Sequence, residues 1–423
     1  MADYDSRDDT HPLAGERIVC ISSIDWDFNW QGHHEIMAAL AAEGSRVLFV
    51  ENTGVRAPEL RDLPRLARRL RNWRLGAGGL RTERTNLSIY SPVILPFPYS
   101  PAARRINRKL LMRTIRRWLR ATGGSRPIAW TFLPTPLSHD AIAEIDPELV
   151  VYFCVDDLPS SSPGARRVGQ SEAELFRSAD LVLVTSERLS RRALRYRDRV
   201  HMFPFGVGYR QFERERLSVA SLPPEIRDLP RPRVGYLGGV NPKVDQVLLA
   251  GVARRLPDAS FVLVGPIETD VSTLRQCPNV RLLGPRPHAQ VPAYLKAFDV
   301  AVVPYRLTDY TAAVYPAKLN EYLAMGLPVV ATDLVEIQRF NAVHGSVVRV
   351  ASDEGTFAAA VREAAGSTSS ADVARRLEVA QQNDWTTRIP EIERLVKDAL
   401  VARRATARLQ TGPDPVHSAL PLA

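Results

Sequence analysis

Lys318 and Glu321 are the pair with the most chemistry to offer. They stand three apart in the stretch YPAKLNEYLAMGLPVVAT, Tyr315 to Thr332, which places both on one face of a helix. Pro316 suits the first helical position, where its missing N–H costs nothing. Leu319, Tyr322 and Leu323 give an apolar face. Gly326 suits the left-handed residue that ends a helix, and Pro328 forbids its continuation. Free N–H groups at the helix start, joined by Lys318, suit a phosphate. Glu321 can accept hydrogen bonds from two vicinal hydroxyls, such as those of a ribose. Taken alone, the pair has a second reading as a surface ion pair. His33 and His34 are candidates for a general base toward a hydroxyl, with a polar helix start as their alternative.

The elements that must position these groups are legible as alternating apolar runs and helical patterns, which predict βαβ units and parallel sheets. In the first half, strands are expected at about 17–23, 46–51, 87–93, 128–132, 149–155 and 181–185. The second half has its own set, at about 233–238, 260–265, 279–283, 299–303, 328–331 and 346–350. Between them, residues 213–232 are rich in Pro and charge and read as a linker. The fold class is therefore α/β, with two doubly wound, Rossmann-like domains. The expected parts are a disordered lead over 1–14, a first domain over 15–212, a second over 233–385, a helix over 386–403, and a disordered tail over 404–423. In such sheets ligands lie beyond the carboxyl ends of the strands. Asp156 and Asp157 follow LVVYFCV, Gly238 and Gly239 end RVGYLG, Gly265 ends SFVLVG, and Tyr305–Arg306 follows DVAVV. A turn glycine or a surface charge is the alternative for each.

At 423 residues, with 45 % hydrophobic and 24 % charged content, the chain has the composition of a globular protein with room for two or three cores. No apolar run approaches the ~20 residues of a membrane span, and the acidic, polar N-terminus does not read as a signal peptide. Cys20, Cys154 and Cys277 lie far apart, which argues against a disulfide framework or a zinc motif. A cytoplasmic protein is expected. Residues 56–126 hold 18 Arg and Lys against three acids, a surplus of 15, so the rest of the chain carries a net charge of −6. Within this block Leu60, Leu63, Leu66, Leu70 and Trp73 fall at helical spacing among arginines. Residues 102–121, with Ile106, Leu110, Ile115, Trp118 and Leu119, repeat the pattern. A basic amphipathic segment of this kind suits an anionic membrane face. The alternatives are a solvated arginine face and nucleic acid, though no nucleic-acid module is recognisable.

The order VGYLGG, SFVLVGP, NVRLLGPRPHAQVPAYLKAFDVAVVPY and YPAKLNEYLAMGLPVVAT resembles glycosyltransferases of the GT-B fold, in particular the family 4 type that build bacterial surface polysaccharides. DWDFNWQGHHEIMAALAAEGSRVLFVEN, VYFCVDDLP and FPFGVGYRQF agree with it, so that the resemblance covers about residues 17–400. It implies that the two Rossmann-like domains face each other across a cleft, with the C-terminal helix packing back toward the first domain. It also implies transfer of a sugar from a nucleotide-sugar donor to a glycan or lipid-linked acceptor, with retention of configuration and without metal or other cofactor. By the same resemblance Glu321 holds the donor's ribose, while Lys318 and the backbone near Ala313–Tyr315 face its diphosphate. Gly238 and Gly239 let the backbone approach the phosphates, and Arg286 lies near the base. Gly32, with Gln31 and His33, faces the donor across the cleft, and Asp156 or Asp157 lies near the reacting sugar. Lys243 matches a phosphate-binding lysine, and Arg306 is a further electrostatic candidate. Two positions depart from the pattern. Ala313 stands where many relatives have a second, sugar-contacting glutamate, and Phe205 replaces the asparagine of an asparagine–glycine–valine turn. A nucleotide-sugar epimerase and a non-catalytic donor-binding protein are the competing functions. Asp25 and Asp27 resemble the metal-binding DxD of the other glycosyltransferase fold, a weak signal in a chain that reads as two sheets.

Overall fold

The computed structural model describes residues 11–411 except 28–29, 55–78, 96, 98, 162 and 367–368. The first sheet comprises β1 (Arg17–Ile21), β2 (Arg46–Val50), β3 (Leu80–Arg84), β4 (Leu87–Tyr90), β5 (Ile128–Thr131), β6 (Leu149–Cys154), β7 (Leu181–Val184) and β8 (His201–Met202), in the order β3-β4-β2-β1-β5-β6-β7-β8. The second comprises β9 (Arg233–Leu237), β10 (Ser260–Val264), β11 (Val280–Gly284), β12 (Val300–Val303), β13 (Val329–Ala331) and β14 (Val348–Val350), in the order β11-β10-β9-β12-β13-β14. All pairings are parallel except β3 with β4. Both sheets are covered by helices, which is why β1, β5, β9, β10 and β12 are apolar and buried along their whole length. β3 carries the polar pattern LRTER on an exposed edge, and β8 has two residues. Neither has the apolar signature that marked the other strands.

In each sheet the strand order reverses beside the first strand: β1 lies between β2 and β5, and β9 between β10 and β12. These are the switch points at which doubly wound sheets leave a crevice. The chain connects the two domains twice, side by side. Val207 N–H donates to Asn383 O at 2.9 Å, and Trp385 N–H donates to Val207 O at 3.0 Å. The last helix, Trp385–Thr411, then runs back over the first domain. Its Arg404 reaches Glu148 at 2.6 and 2.8 Å and Glu16 at 3.2 Å.

Three boundaries differ from expectation. Leu13 is fully buried and Ser45 Oγ donates to its carbonyl at 2.8 Å, so order begins before residue 15. The final helix continues past 403 to Thr411. Residues 213–232 are partly helical: Tyr209–Leu217 enters the stretch and Pro224–Arg227 lies within it.

The basic block is also redistributed. The segment 60–74 lies outside the described residues. The second basic segment is a helix, Pro101–Thr122, but Ile115 and Trp118 pack into the core of the first domain, and so belong to the fold. Ile106 and Leu110 stay exposed on its outer side.

Candidate active site

The end of β9 sets the floor of the site. Gly238 has φ +118° and Gly265, at the end of β10, has φ +151°, where a side chain is strained. A Cβ on Gly265 would stand 2.2 Å from the Gly238 carbonyl oxygen, and one on Gly238 would stand 2.8 Å from Lys318 Nζ. The two glycines therefore let bare backbone and an ammonium share one small volume.

Lys318 opens the short helix Lys318–Ala324, two residues later than Pro316 suggested. Its Nζ donates to the hydroxyls of Tyr305 at 2.7 Å and Tyr236 at 3.0 Å, leaving one of three N–H donors for a ligand. It also lies 4.2 Å from the centre of the Tyr236 ring. Lys243 Nζ sits 5.2 Å from the centre of the Tyr305 ring. Burial lowers the Lys318 pKa. Burial also opposes ionisation of Tyr305, but Lys243 and Lys318 outweigh it and bring the phenol down to about 8.

Glu321 follows one turn later, as the spacing predicted. Burial raises its carboxyl to about 7, against the pull of Lys318, with Glu35 of the first domain adding to the rise. Among the described residues no group hydrogen-bonds to this carboxylate, whereas Glu35 accepts from Trp30 Nε1 at 2.7 Å. The acid is thus only partly exposed at the cavity wall, its oxygens taken by no donor among the described residues and open to those of a ligand.

All of this lines one cavity of about 370 Å³ between the two sheets. Of the expected residues, Gly32, Asp156, Gly238, Gly239, Lys243, Arg286, Tyr315, Lys318 and Glu321 border it. Gly32 has a packing reason: a Cβ there would lie 2.3 Å from Phe205 Cδ1. Phe205 takes the place of the asparagine of the expected turn, and its carbonyl accepts from Asn320 Nδ2 at 2.8 Å. Asp156, whose carboxyl burial raises, meets the Tyr310 hydroxyl at 3.5 Å. Arg286 is committed to protein partners, Tyr294 at 2.7 Å, Leu283 O at 2.7 Å and Glu225 at 3.0 Å.

Three expected residues lie elsewhere. Asp157 ion-pairs with Arg192, which also holds Glu172 at 2.8 Å, in a separate charged cluster. His33 is 1 % exposed, with Nε2 at 3.0 Å from Ser23 Oγ and its ring 4.0 Å from that of Phe132. Burial and then His34 depress its pKa well below the usual range, and it does not border the cavity. Arg306 is exposed to solvent, and its engagement near the site is through backbone, its N–H donating to Lys243 O at 2.8 Å and its carbonyl accepting from Thr311 Oγ1. Ala313 is fully buried against residues of the first domain and does not border the cavity. Asp25 and Asp27 do not form a joint site, since Asp25 is buried while Asp27 faces Arg81 at 2.9 Å on the surface.

Sequence reasoning set Tyr305 on the ligand rim without a role and passed over Tyr236, Glu35 and Trp30. Tyr236 and Tyr305 sit at the ends of β9 and β12, where a strand's last hydroxyl reaches the ligand rim. That position is the signal that could have found them.

This architecture, two doubly wound sheets with a ligand cavity at the facing switch points, is that of the GT-B glycosyltransferases. Residues 231–366 match the family model described as Glycosyl transferases group 1. Over 236 residues the chain is 29 % identical to TuaH of Bacillus subtilis (strain 168), whose name gives it a glycosyltransferase role in teichuronic acid biosynthesis. That match takes in 51 % of this chain and 57 % of TuaH, little more than half of the relative's length. Among solved structures, the sucrose-phosphate synthase of Thermosynechococcus elongatus superposes with a TM-score of 0.67 at 16 % identity, covering 92 % of this chain and 100 % of that one. Anabaena Alr3699/HepE, solved with UDP and glucose, gives 0.61 at 13 % identity, again over 92 % of this chain and 100 % of that one.

Proposed function

We propose that the protein is a glycosyltransferase that moves a sugar from a nucleotide-sugar donor to a glycan or lipid-linked acceptor in the synthesis of a cell-surface polysaccharide. The observation that carries this reading is the unpartnered Glu321 carboxylate beside the Lys318 ammonium, set against the bare glycine backbone at the end of β9. The carboxylate suits a ribose diol. Lys318 and Lys243 suit the diphosphate, whose leaving charge they stabilise as the bond to the sugar breaks. With two cationic side chains in this role, the proposed reaction needs no metal, and its proposed retention of configuration rests on the family 4 resemblance. HepE, solved with UDP and glucose, and TuaH by its name support the same donor class and pathway. Titration calorimetry with a panel of nucleotide sugars, beginning with UDP-glucose, tests the reading, and binding of none of them overturns it. Conversion of the donor without acceptor would instead identify an epimerase.

The pKa shifts imply a narrow pH optimum. Glu321 binds hydroxyl donors as a carboxylate, so kcat/KM falls as pH drops through about 7. Ionisation of Tyr305 sets a negative charge beside the diphosphate, so kcat/KM falls again as pH rises through about 8. A profile that stays flat from about pH 6 to 9 contradicts both assignments.

We further propose that this enzyme works against an anionic membrane surface, using the exposed side of the helix Pro101–Thr122. No helix of the described residues is long and apolar enough to cross a membrane. Asn107 ties the preceding loop to the helix, accepting from Leu95 N–H at 2.7 Å and donating to Leu95 O at 2.9 Å. Exposed Leu95 is thereby held beside the turn of the helix that carries exposed Ile106 and Leu110, and Val93 and Phe97, two residues to either side of Leu95, are exposed too. No acidic residue occurs between Glu83 and Asp140. Vesicles containing phosphatidylglycerol are expected to carry the protein in flotation, while phosphatidylcholine vesicles leave it behind. Ile106→Ser with Leu110→Ser is expected to abolish flotation. Equal absence from both vesicle types overturns the membrane reading.

A further inference from the structure

We propose that His11, Glu43 and Glu393 form a binding site for a first-row divalent cation of the zinc class, which fastens the C-terminal helix to the first domain. The site lies apart from the donor cavity and uses none of its residues. Glu43 caps the carboxyl end of the helix Gly32–Ala42, Glu393 lies in the helix Trp385–Thr411, and His11 occupies the turn before β1. That turn is held in place: Gly15 N–H donates to Gly44 O at 3.0 Å, and Ala14 N–H donates to His11 O at 3.0 Å. One donor atom from each of the three side chains falls within 4.8 Å of the others, with His11 Nδ1 4.0 Å from Glu43 Oε2.

Glu393 is the observation that points to a ligand. It is 1 % exposed, and its Oε1 is buried without a hydrogen-bond partner, as is Oε2 of Glu43 facing it. Among the described residues, no lysine or arginine ion-pairs with either acid. Two carboxylates brought together, Glu393 buried and Glu43 a quarter exposed, repel one another and lack the donors that buried charges require. A cation between them answers both needs. One imidazole and two carboxylates form a mixed nitrogen–oxygen set that suits zinc and its neighbours, whereas calcium and magnesium favour all-oxygen shells. Donor atoms around a tetrahedral ion lie roughly 3.4 Å apart. The cluster therefore has to draw in by about an ångström, which a torsion of the half-exposed His11 side chain supplies.

The consequence is structural. The helix Gly32–Ala42 starts at the donor cavity with Gly32 and ends at Glu43, about 16 Å away at 1.5 Å per residue. An ion at its far end anchors the helix that presents Gly32 and Glu35, and joins it to the helix that follows the second interdomain crossing.

The test uses the full chain without a polyhistidine tag, stripped with a chelator and titrated with zinc chloride. Saturable one-to-one binding and a thermal midpoint that rises with zinc are expected. His11→Ala is expected to weaken zinc at least tenfold while leaving the metal-free midpoint unchanged. Glu43→Gln is expected to raise the metal-free midpoint, because its amide can donate to Glu393, and to lose the response to zinc. Zinc affinity equal to wild type in both variants places the ion on other histidines and overturns the proposal. A midpoint that responds to pH but not to zinc means a proton shared by the two acids, and also overturns it. Tighter binding of magnesium or calcium than of zinc overturns the assignment of the ion.

Discussion

Glu321→Ala is expected to weaken binding of the nucleoside diphosphate donor by about a hundredfold. Two hydroxyl donors to a carboxylate are worth on the order of 1.5–3 kcal/mol each. At pH 8 an acid held at about 7 is already largely ionised in the free protein, so little of that is spent on deprotonation and the lower end of the sum is the conservative figure. A net loss of roughly 3 kcal/mol corresponds to about two decades in affinity. Calorimetric titration of both proteins at pH 8 measures it, and unchanged affinity removes Glu321 from the ribose. The same acid has an opposite effect on stability. Its folded pKa stands above the ordinary value of 4.5. The stability linked to its protonated form is therefore complete in acid and is lost as pH rises through about 7. Glu321→Gln is accordingly expected to melt above the wild type at pH 8, even as donor binding fails. A residue retained against the stability of its own fold is one whose use lies in binding.

Lys318→Met is expected to lower turnover by about 10²- to 10³-fold at saturating donor, the usual scale for removing one preorganised charge from a developing anion. Methionine fills much of the same space, so Tyr236 and Tyr305 keep their packing. Removal of one of the two ammoniums that pull the Tyr305 phenol down also lets its pKa rise. The alkaline limb of kcat/KM therefore moves to higher pH in the variant. Lower turnover with an unmoved alkaline limb would show that Tyr305 does not set that limb. Full turnover would remove Lys318 from the reaction.

The strands of the second domain were legible almost residue by residue, because a parallel sheet covered on both faces needs continuous apolar runs, and RVGYL, SFVLV and VAVV are such runs. Glu321 and Lys318 were legible because helical spacing brought two unlike charges to one face beside a glycine-ended strand. The fate of Asp157 and His33 was not. Asp156 and Asp157 are adjacent and chemically alike, and only the tertiary placement of Arg192 draws one away from the cavity. His33 looked like a helix-start base, yet Ser23, ten residues before it, and Phe132, from a distant strand end, enclose it. Ile115 and Trp118 showed the same limit. Their period announced an apolar face, but which apolar face meets protein and which meets solvent depends on the partner elements.

The pair of crossings at Val207 and at Asn383–Trp385 restricts how the molecule can move. Two neighbouring strands of backbone, hydrogen-bonded to each other, resist sliding and shear between the domains. Rotation about the line through them is the soft degree of freedom. Since the cavity lies between the sheets, a few degrees about this axis change the separation of Glu35 from Glu321 while leaving each domain's own geometry untouched. On the proposed function, donor entry and product departure then follow a single angular coordinate, set by backbone joints whose Val207 and Trp385 themselves border the cavity.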